Sequence, residues 1–267
     1  MDDRLLAHSP RLRVVARHGV GLDNVDVEAC TRRGIRVVHT PLAPVEAVAE
    51  HAVGLMLAVT KGIVRSDRAM RAGEFAGRHA VVADDLLGKT LGVVGFGRIG
   101  QRVAEICRAA FAMVVLFTDV LPQTEAASRL GAERATLDEL LARSDLVSLH
   151  LPLTPQTHHL IDAAALARLR PGAILINTSR GAIVDEQALV RALQDGRLSA
   201  GLDVYEQEPP PASSPLVGLA NVVLTPHNAS HTEAALRAMS MVVEDVMRVL
   251  QGETPRHPAN VVTGGNP

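Results

Sequence analysis

The stretch "LGVVGFGRIGQRVAEI" constrains the fold of this chain more than any other. An apolar run from Leu91 to Val94 meets glycines at 95, 97 and 100, and Ile99, Val103, Ile106 and Ala110 follow at helical spacing. A strand entering a helix through such a turn is a βα unit, with Gly95 making the turn and Gly100 letting helix lie on strand. Short β-branched runs alternate with helix-period segments along the whole chain, which predicts an α/β protein with a parallel sheet. The expected strands are Leu12 to Ala16, Ile35 to His39, Leu91 to Val94, Val114 to Phe117, Asp145 to Leu149, Ala173 to Ile176, Ala200 to Asp203 and Val222 to Thr225. Most are apolar without alternation, as strands covered by helices on both faces must be.

Two breaks divide the chain. Pro41 and Pro44 stand before the long apolar helix of "VEAVAEHAVGLMLAV", and Pro226 precedes another helix in "LTPHNASHTEAALRAM". These read as two domain crossings, giving a small discontinuous domain of residues 1–43 and 231–267 and a larger one of 44–230. At 267 residues and 47% hydrophobic, the chain has material for both cores. A formal net charge of -2, without like-charge runs, recommends neither nucleic acid nor anionic membrane as partner. The apolar run at 52–59 is too short to span a bilayer, Cys30 and Cys107 lack metal-type spacing, and the start carries no basic leader. A reduced, unprocessed, cytoplasmic protein is expected.

The loop Gly95, Phe96, Gly97, Arg98, Ile99, Gly100 is followed by a second strand that ends at Asp119, 19 residues after Gly100. That spacing fits a dinucleotide fingerprint: backbone at Gly97 approaches the pyrophosphate, and the carboxylate accepts hydrogen bonds from the adenosine ribose. A carboxylate there repels a 2′-phosphate, so NAD is expected rather than NADP. Three polar residues, Arg180, Glu208 and His227, fall at or just beyond the C-terminal ends of successive expected strands, where doubly wound sheets place ligands.

With "RHGVGLDNVD", "AVAEHAVGLMLA", "HLPLTPQTHHLID", "INTSRGAIVDE", "GLDVYEQEP" and "TPH", these residues make the chain resemble the D-isomer-specific 2-hydroxyacid dehydrogenase family over nearly its whole length. The resemblance implies a Rossmann-type cofactor domain with a smaller, flavodoxin-like substrate domain. It also implies hydride transfer between NAD and a small 2-hydroxy or 2-oxo acid of the hydroxypyruvate, glyoxylate or 3-phosphoglycerate class. Arg180 would bind the substrate carboxylate, His227 would be the acid/base, and Glu208 would pair with it. An adjacent carboxylate orients an imidazole and favours its protonated form. Asp203 would contact the nicotinamide carboxamide. Leu151, Pro152, Thr157 and Thr178 would line the cofactor, and amides near Val20 and Gly21 would add donors for the substrate. Relatives pair as homodimers through the cofactor domain, and Val48 to Val59 with "RSDRAMRAGEFAGRHAVVADDL" resembles the embracing arm.

The chain departs from the family pattern at its start, where an opening strand, helix and strand are expected to be absent, and Met1 to His8 resemble the end of the next helix. Pro44 stands where asparagine is common, and Ala112 and Ser230 stand where glycine is. Alternative readings are a non-catalytic NAD-sensing scaffold like the corepressors that resemble this family, a shortened form that binds NAD with weak turnover, and a formate dehydrogenase relative, against which Glu208 argues. No metal is expected: His227 and His231 are four apart but lie off a helix and lack a third ligand. His158 and His159, being adjacent, are expected to diverge as surface side chains.

Overall fold

The structure, a computed structural model, describes residues 1–76 and 82–262. Along the chain run α1 (Asp3–Ala7), β1 (Val14–Arg17), α2 (Val27–Arg32), β2 (Arg36–His39), α3 (Val45–Thr60), α4 (Ile63–Arg71), β3 (Thr90–Val94) and α5 (Arg98–Phe111). Next come β4 (Val114–Thr118), α6 (Thr124–Leu130), β5 (Glu133–Arg134), α7 (Leu137–Arg143), β6 (Leu146–Leu149), α8 (Ala163–Arg168) and β7 (Ala173–Asn177). The chain closes with α9 (Glu186–Gln194), β8 (Leu198–Leu202), β9 (Val222–Leu224), α10 (Glu233–Ser240) and α11 (Val242–Leu250). It divides into two compact units, Met1–Ala47 with Ser230–Pro267, and Val48–Ala229. Among the described residues no single helix is long and apolar enough to cross a membrane.

The larger unit is a seven-stranded parallel sheet of order β5-β4-β3-β6-β7-β8-β9. Its order reverses between β3 and β6, and a doubly wound sheet opens a crevice outside the carboxyl ends at that switch. The strands feed two cores because successive side chains point to opposite faces. Leu91 and Val93 pack with Val103 and Cys107 of α5 and Met56 of α3. Val94, Val147 and Leu175 pack on the other side with Leu140 of α7 and Leu189 of α9. A fully buried side chain such as Leu116 contributes roughly 1.5–3 kcal/mol by leaving water. Burial also pushes the Cys107 thiol up to about 12, which keeps it unreactive.

Helix starts follow their caps. Thr136 and Glu139 form a reciprocal capping box on α7, while Asp162 and Asp185 cap α8 and α9 through Ala165 and Ala188 N–H. Helix α5 stops at Ala112 with φ 49, a left-handed backbone that explains why glycine suits this position and that alanine adopts at some cost. The polar β5 was not expected from sequence; two residues are an edge pairing on β4, with no hydrophobic run to announce it.

Among the described residues the smaller unit has one parallel pair, β1 with β2, and small apolar clusters around Leu6, Cys30, Ile35 and Val37 and around Ala47, Ala235 and Met239. Polar side chains complete it. Asn260 accepts from Val37 N–H at 2.8 Å and donates to Ile35 C=O at 2.9 Å, so one side chain pairs with β2 as a neighbouring strand would. Ala259 N–H and His257 C=O continue along that edge to Val37 and His39. Buried Asp245 accepts from Arg256 and His257 N–H at 2.7 and 2.9 Å, fixing the turn that delivers this segment.

Candidate active site

The glycine loop lies at the carboxyl end of β3. Gly95 has φ +91, and a Cβ on it would stand 2.4 Å from His150 C=O, so both backbone and space demand glycine. A Cβ on Gly100 would come within 2.2 Å of Gly95 C=O, where α5 meets the strand. Gly97 is different: its φ of -74 suits any residue, and a Cβ there would meet nothing within 4 Å. Its freedom from a side chain serves no contact inside the protein, and α5 begins there without a side-chain cap. Uncapped N–H groups at a helix start beside a bare glycine fit a pyrophosphate. Arg98 beside it is exposed, and Ile99 is partly buried on the apolar face of α5.

Asp119 closes this loop: its Oδ2 accepts from Phe96 N–H at 2.7 Å and its Oδ1 from Leu121 N–H at 2.8 Å. Each oxygen retains a second lone pair for a ribose hydroxyl. Phe96, counted from sequence with the cofactor residues, turns inward and stacks on Phe117 with ring centroids 4.2 Å apart. Its ring therefore holds the loop from inside and does not face a ligand. Thr157 likewise spends its hydroxyl on Pro152 C=O at 2.7 Å and Thr154 N–H at 2.8 Å, shaping the loop after β6 that also carries Leu151 and Pro152.

Three loops at the carboxyl ends of adjacent strands carry the remaining candidates. After β7, Asn177 clamps the turn, accepting from Ser179 N–H at 3.0 Å and donating to Arg180 C=O at 2.9 Å. Ser179 Oγ donates to Leu149 C=O on β6. Arg180 Nη1 donates to Ser179 C=O at 2.7 Å, and the side chain stays partly exposed. The hydroxyl of Thr178 is buried without a hydrogen-bond partner, which fits a polar group arriving from outside the protein. Gly181 then makes a close crossing: a Cβ there would fall 1.8 Å from the Tyr205 carbonyl carbon and 2.3 Å from Glu206 N. Only glycine lets the loop after β8 lie on the loop of Arg180.

Tyr205 N–H donates to Glu208 Oε1 at 3.1 Å, and Glu208 Oε2 lies 2.7 Å from His227 Nδ1. The Tyr205 hydroxyl donates to Thr225 C=O at 2.8 Å. Burial first, then the charge of Asp203, pushes its pKa up to about 12, so it remains a neutral donor. His227 has a left-handed φ of 51, which turns its ring toward Glu208. Such a backbone costs energy in a residue other than glycine and persists where its surroundings fix it. Here Asp203 does so, accepting from Thr225 Oγ1 at 2.6 Å, Asn228 N–H at 3.0 Å and Ala229 N–H at 2.9 Å. Asp203, expected against the nicotinamide, is thus fully buried with its oxygens engaged inside the protein, and what it visibly holds is the loop of His227.

Other participants escaped the sequence reading. His51 of α3 approaches Thr225 Oγ1 at 3.0 Å and Asp203 at 3.5 Å. His150 Nε2 lies 2.9 Å from Ser148 Oγ beside the glycine loop, and burial pulls its pKa down to about 4. Both sit in quoted motifs, but a histidine within an apolar run announces no partner. Val20 and Gly21 lie in the smaller unit, their carbonyls facing His39 Nδ1 and Arg17 Nε at 3.2 and 3.0 Å.

Comparison with known proteins bears on what this arrangement does. Residues 53–229 match the model of the D-isomer specific 2-hydroxyacid dehydrogenase, NAD binding domain. The chain is 46% identical over 266 residues to a D-3-phosphoglycerate dehydrogenase of Mycobacterium tuberculosis, covering 99% of this chain and 50% of that one. It thus spans about half the length of that relative. It is 45% identical over 268 residues to a glyoxylate reductase of Aeropyrum pernix, covering 97% of this chain and 80% of that one. The D-lactate dehydrogenase of Aquifex aeolicus complexed with NAD and lactic acid superposes with a TM-score of 0.87 at 35% identity, covering 95% of this chain and 80% of that one.

Proposed function

This chain belongs to the D-isomer specific 2-hydroxyacid dehydrogenase family, and on that premise we propose that it is an NAD-dependent oxidoreductase interconverting a D-2-hydroxy acid and its 2-oxo acid. The observation that carries the reading is the 2.7 Å pair of His227, after β9, and Glu208, on the loop after β8 that Gly181 lets lie against the loop of Arg180. When bound, NADH supplies a hydride to the carbonyl carbon of the acid. Arg180 grips the carboxylate, and a guanidinium fork also stabilises negative charge growing on the neighbouring oxygen. His227 delivers the proton to that oxygen, and Glu208 holds the imidazole in place and balances its charge. Tyr205 N–H, Asp203 and the Asn177 clamp keep these groups set before substrate arrives.

A panel of glyoxylate, hydroxypyruvate and related 2-oxo acids, assayed by loss of NADH, tests the reaction. His227→Ala should lower kcat by roughly 10²–10⁴-fold while leaving NADH affinity unchanged, since general acid catalysis contributes about that much. Glu208→Gln should lower kcat less, again with unchanged NADH affinity. A parent chain that binds NADH but turns over no 2-oxo acid would instead leave the non-catalytic scaffold.

The same reading assigns cofactor preference to Asp119: NADH should bind far better than NADPH, and equal affinities in a fluorescence titration would refute it. It also makes the protein a homodimer through the larger unit. The support is the apolar surface left on α4 and beyond it, with Met70 56% and Phe75 60% exposed. Residues 77–81 of the expected arm lie outside the described residues. Light scattering showing a monomer at micromolar concentration would remove this part.

A further inference from the structure

The sequence reading sends the side chains of His158 and His159 apart, yet in the structure their rings stack with centroids 4.0 Å apart and planes 30° from parallel. The cause is the backbone of His159, whose left-handed φ of 51 folds the second ring back over the first. His159 N–H donates to Ala182 C=O at 2.8 Å, which fixes that turn. His159 Nε2 lies 2.8 Å from Glu206 Oε1, and one potential ligand atom from each of His158, His159 and Glu206 falls within 4.8 Å of the others. Glu206 is itself braced, because its N–H donates to Glu186 Oε2 at 3.0 Å and its Oε2 faces Glu186 N–H at 3.4 Å.

A hydrogen bond between His159 and Glu206 explains two of these residues. It leaves unexplained why the exposed ring of His158 stacks on its neighbour. Two imidazoles and a carboxylate whose ligand atoms lie within 4.8 Å of one another are, after a small side-chain adjustment, the donor set of a borderline transition metal, which binds imidazole nitrogen at about 2.0–2.1 Å and carboxylate oxygen at about 2.0–2.2 Å. We propose that His158, His159 and Glu206 form a zinc-class divalent metal site on the outer surface of the larger unit. Imidazole donors favour Zn²⁺, Ni²⁺ or Cu²⁺ over Mg²⁺ and Ca²⁺, which take oxygen ligands. Water completes the coordination, since His158 and Glu206 are exposed. The ion would join the loop after β6, which carries Thr157, to the loop after β8, which carries Glu208. The site is separate from the reaction assigned above and does not depend on it.

Calorimetric titration of untagged, EDTA-stripped protein with zinc chloride tests it. One equivalent should bind, and magnesium should give no binding heat. His158→Ala, His159→Asn and Glu206→Gln should each weaken zinc by at least about tenfold, the smallest loss usual for disturbing a ligand set. Asparagine is chosen at 159 because it tolerates the left-handed backbone. His231→Ala should bind zinc as the parent does. Cobalt substitution should give visible d–d bands in the parent that His158→Ala abolishes, and thermal melts show that each variant is folded. Parent protein taking up no zinc at micromolar concentrations would overturn the proposal. So would parent-like affinity in the three ligand variants, or loss of binding in His231→Ala.

Discussion

The larger unit buries apolar side chains on both faces of a seven-stranded sheet, while the smaller one has two paired strands and two small apolar clusters. Area removed from water holds the first, and no single residue there carries a large share. In the second, Asn260 and Asp245 supply directed hydrogen bonds where further strands would otherwise bury backbone groups. A sheet core degrades gradually when one side chain is trimmed. A polar clamp fails at once, because its partners are left buried and unsatisfied.

The comparison breaks most sharply at Gly181. An added methyl would strike backbone of the neighbouring loop, so Gly181→Ala should abolish turnover and destabilise the larger unit by on the order of 3 kcal/mol. Activity and thermal unfolding report both effects; a parent-like variant would show that the two loops are not locked together. Next is Asn260→Ala, which strands Val37 N–H and Ile35 C=O and should cost roughly 1–3 kcal/mol, confined to the smaller unit. Hydrogen exchange should quicken at Val37 and leave β3 to β9 unchanged; exchange rising equally in both units would erase the distinction.

A smaller effect should appear with pH. The pKa of His150 is pulled down to about 4 from an ordinary 6.5, so the unfolded chain takes up this proton first as pH falls. Its contribution to stability is complete above about 6.5 and is lost as pH drops toward about 4. Melting temperature of the larger unit should fall across that window, and His150→Gln should flatten the fall. The smallest effect should come from Arg33→Ala, which removes an exposed pair with Asp3 at 2.9 Å and should leave the melting temperature within error.

Much of the larger unit was legible because its strands are mostly continuous apolar runs, and across the two units each of the eight expected strands, six of them in the larger one, is present with ends shifted by at most two residues. Arg180, Glu208 and His227 were legible as polar residues breaking those runs at their carboxyl ends. Most of what stayed hidden depends on contacts remote in sequence. Asn260 reaches Val37 across 223 positions, and nothing in "HPAN" announces it. The stacking of His158 on His159 rests on one backbone angle that the residue type permits without requiring. Gly181 read as one glycine among many until the path of the next loop was known.

Asp119 has a consequence for anyone redesigning this protein. On the proposed role of Asp119, its carboxylate is the group to change if a 2′-phosphate is to be accepted, yet the same carboxylate fastens Phe96 N–H of the glycine loop. On that proposal selectivity and loop rigidity meet in one side chain, and a substitution chosen for the first alters the second. On the same proposal Asp119→Ala or Asp119→Arg should admit the phosphate, and either also leaves the Phe96 amide without its acceptor, loosening the glycine turn. Asn or Ser at 119 removes the charge and keeps an oxygen for the amide, so a change of preference has to begin from those two residues and gather its positive charge elsewhere.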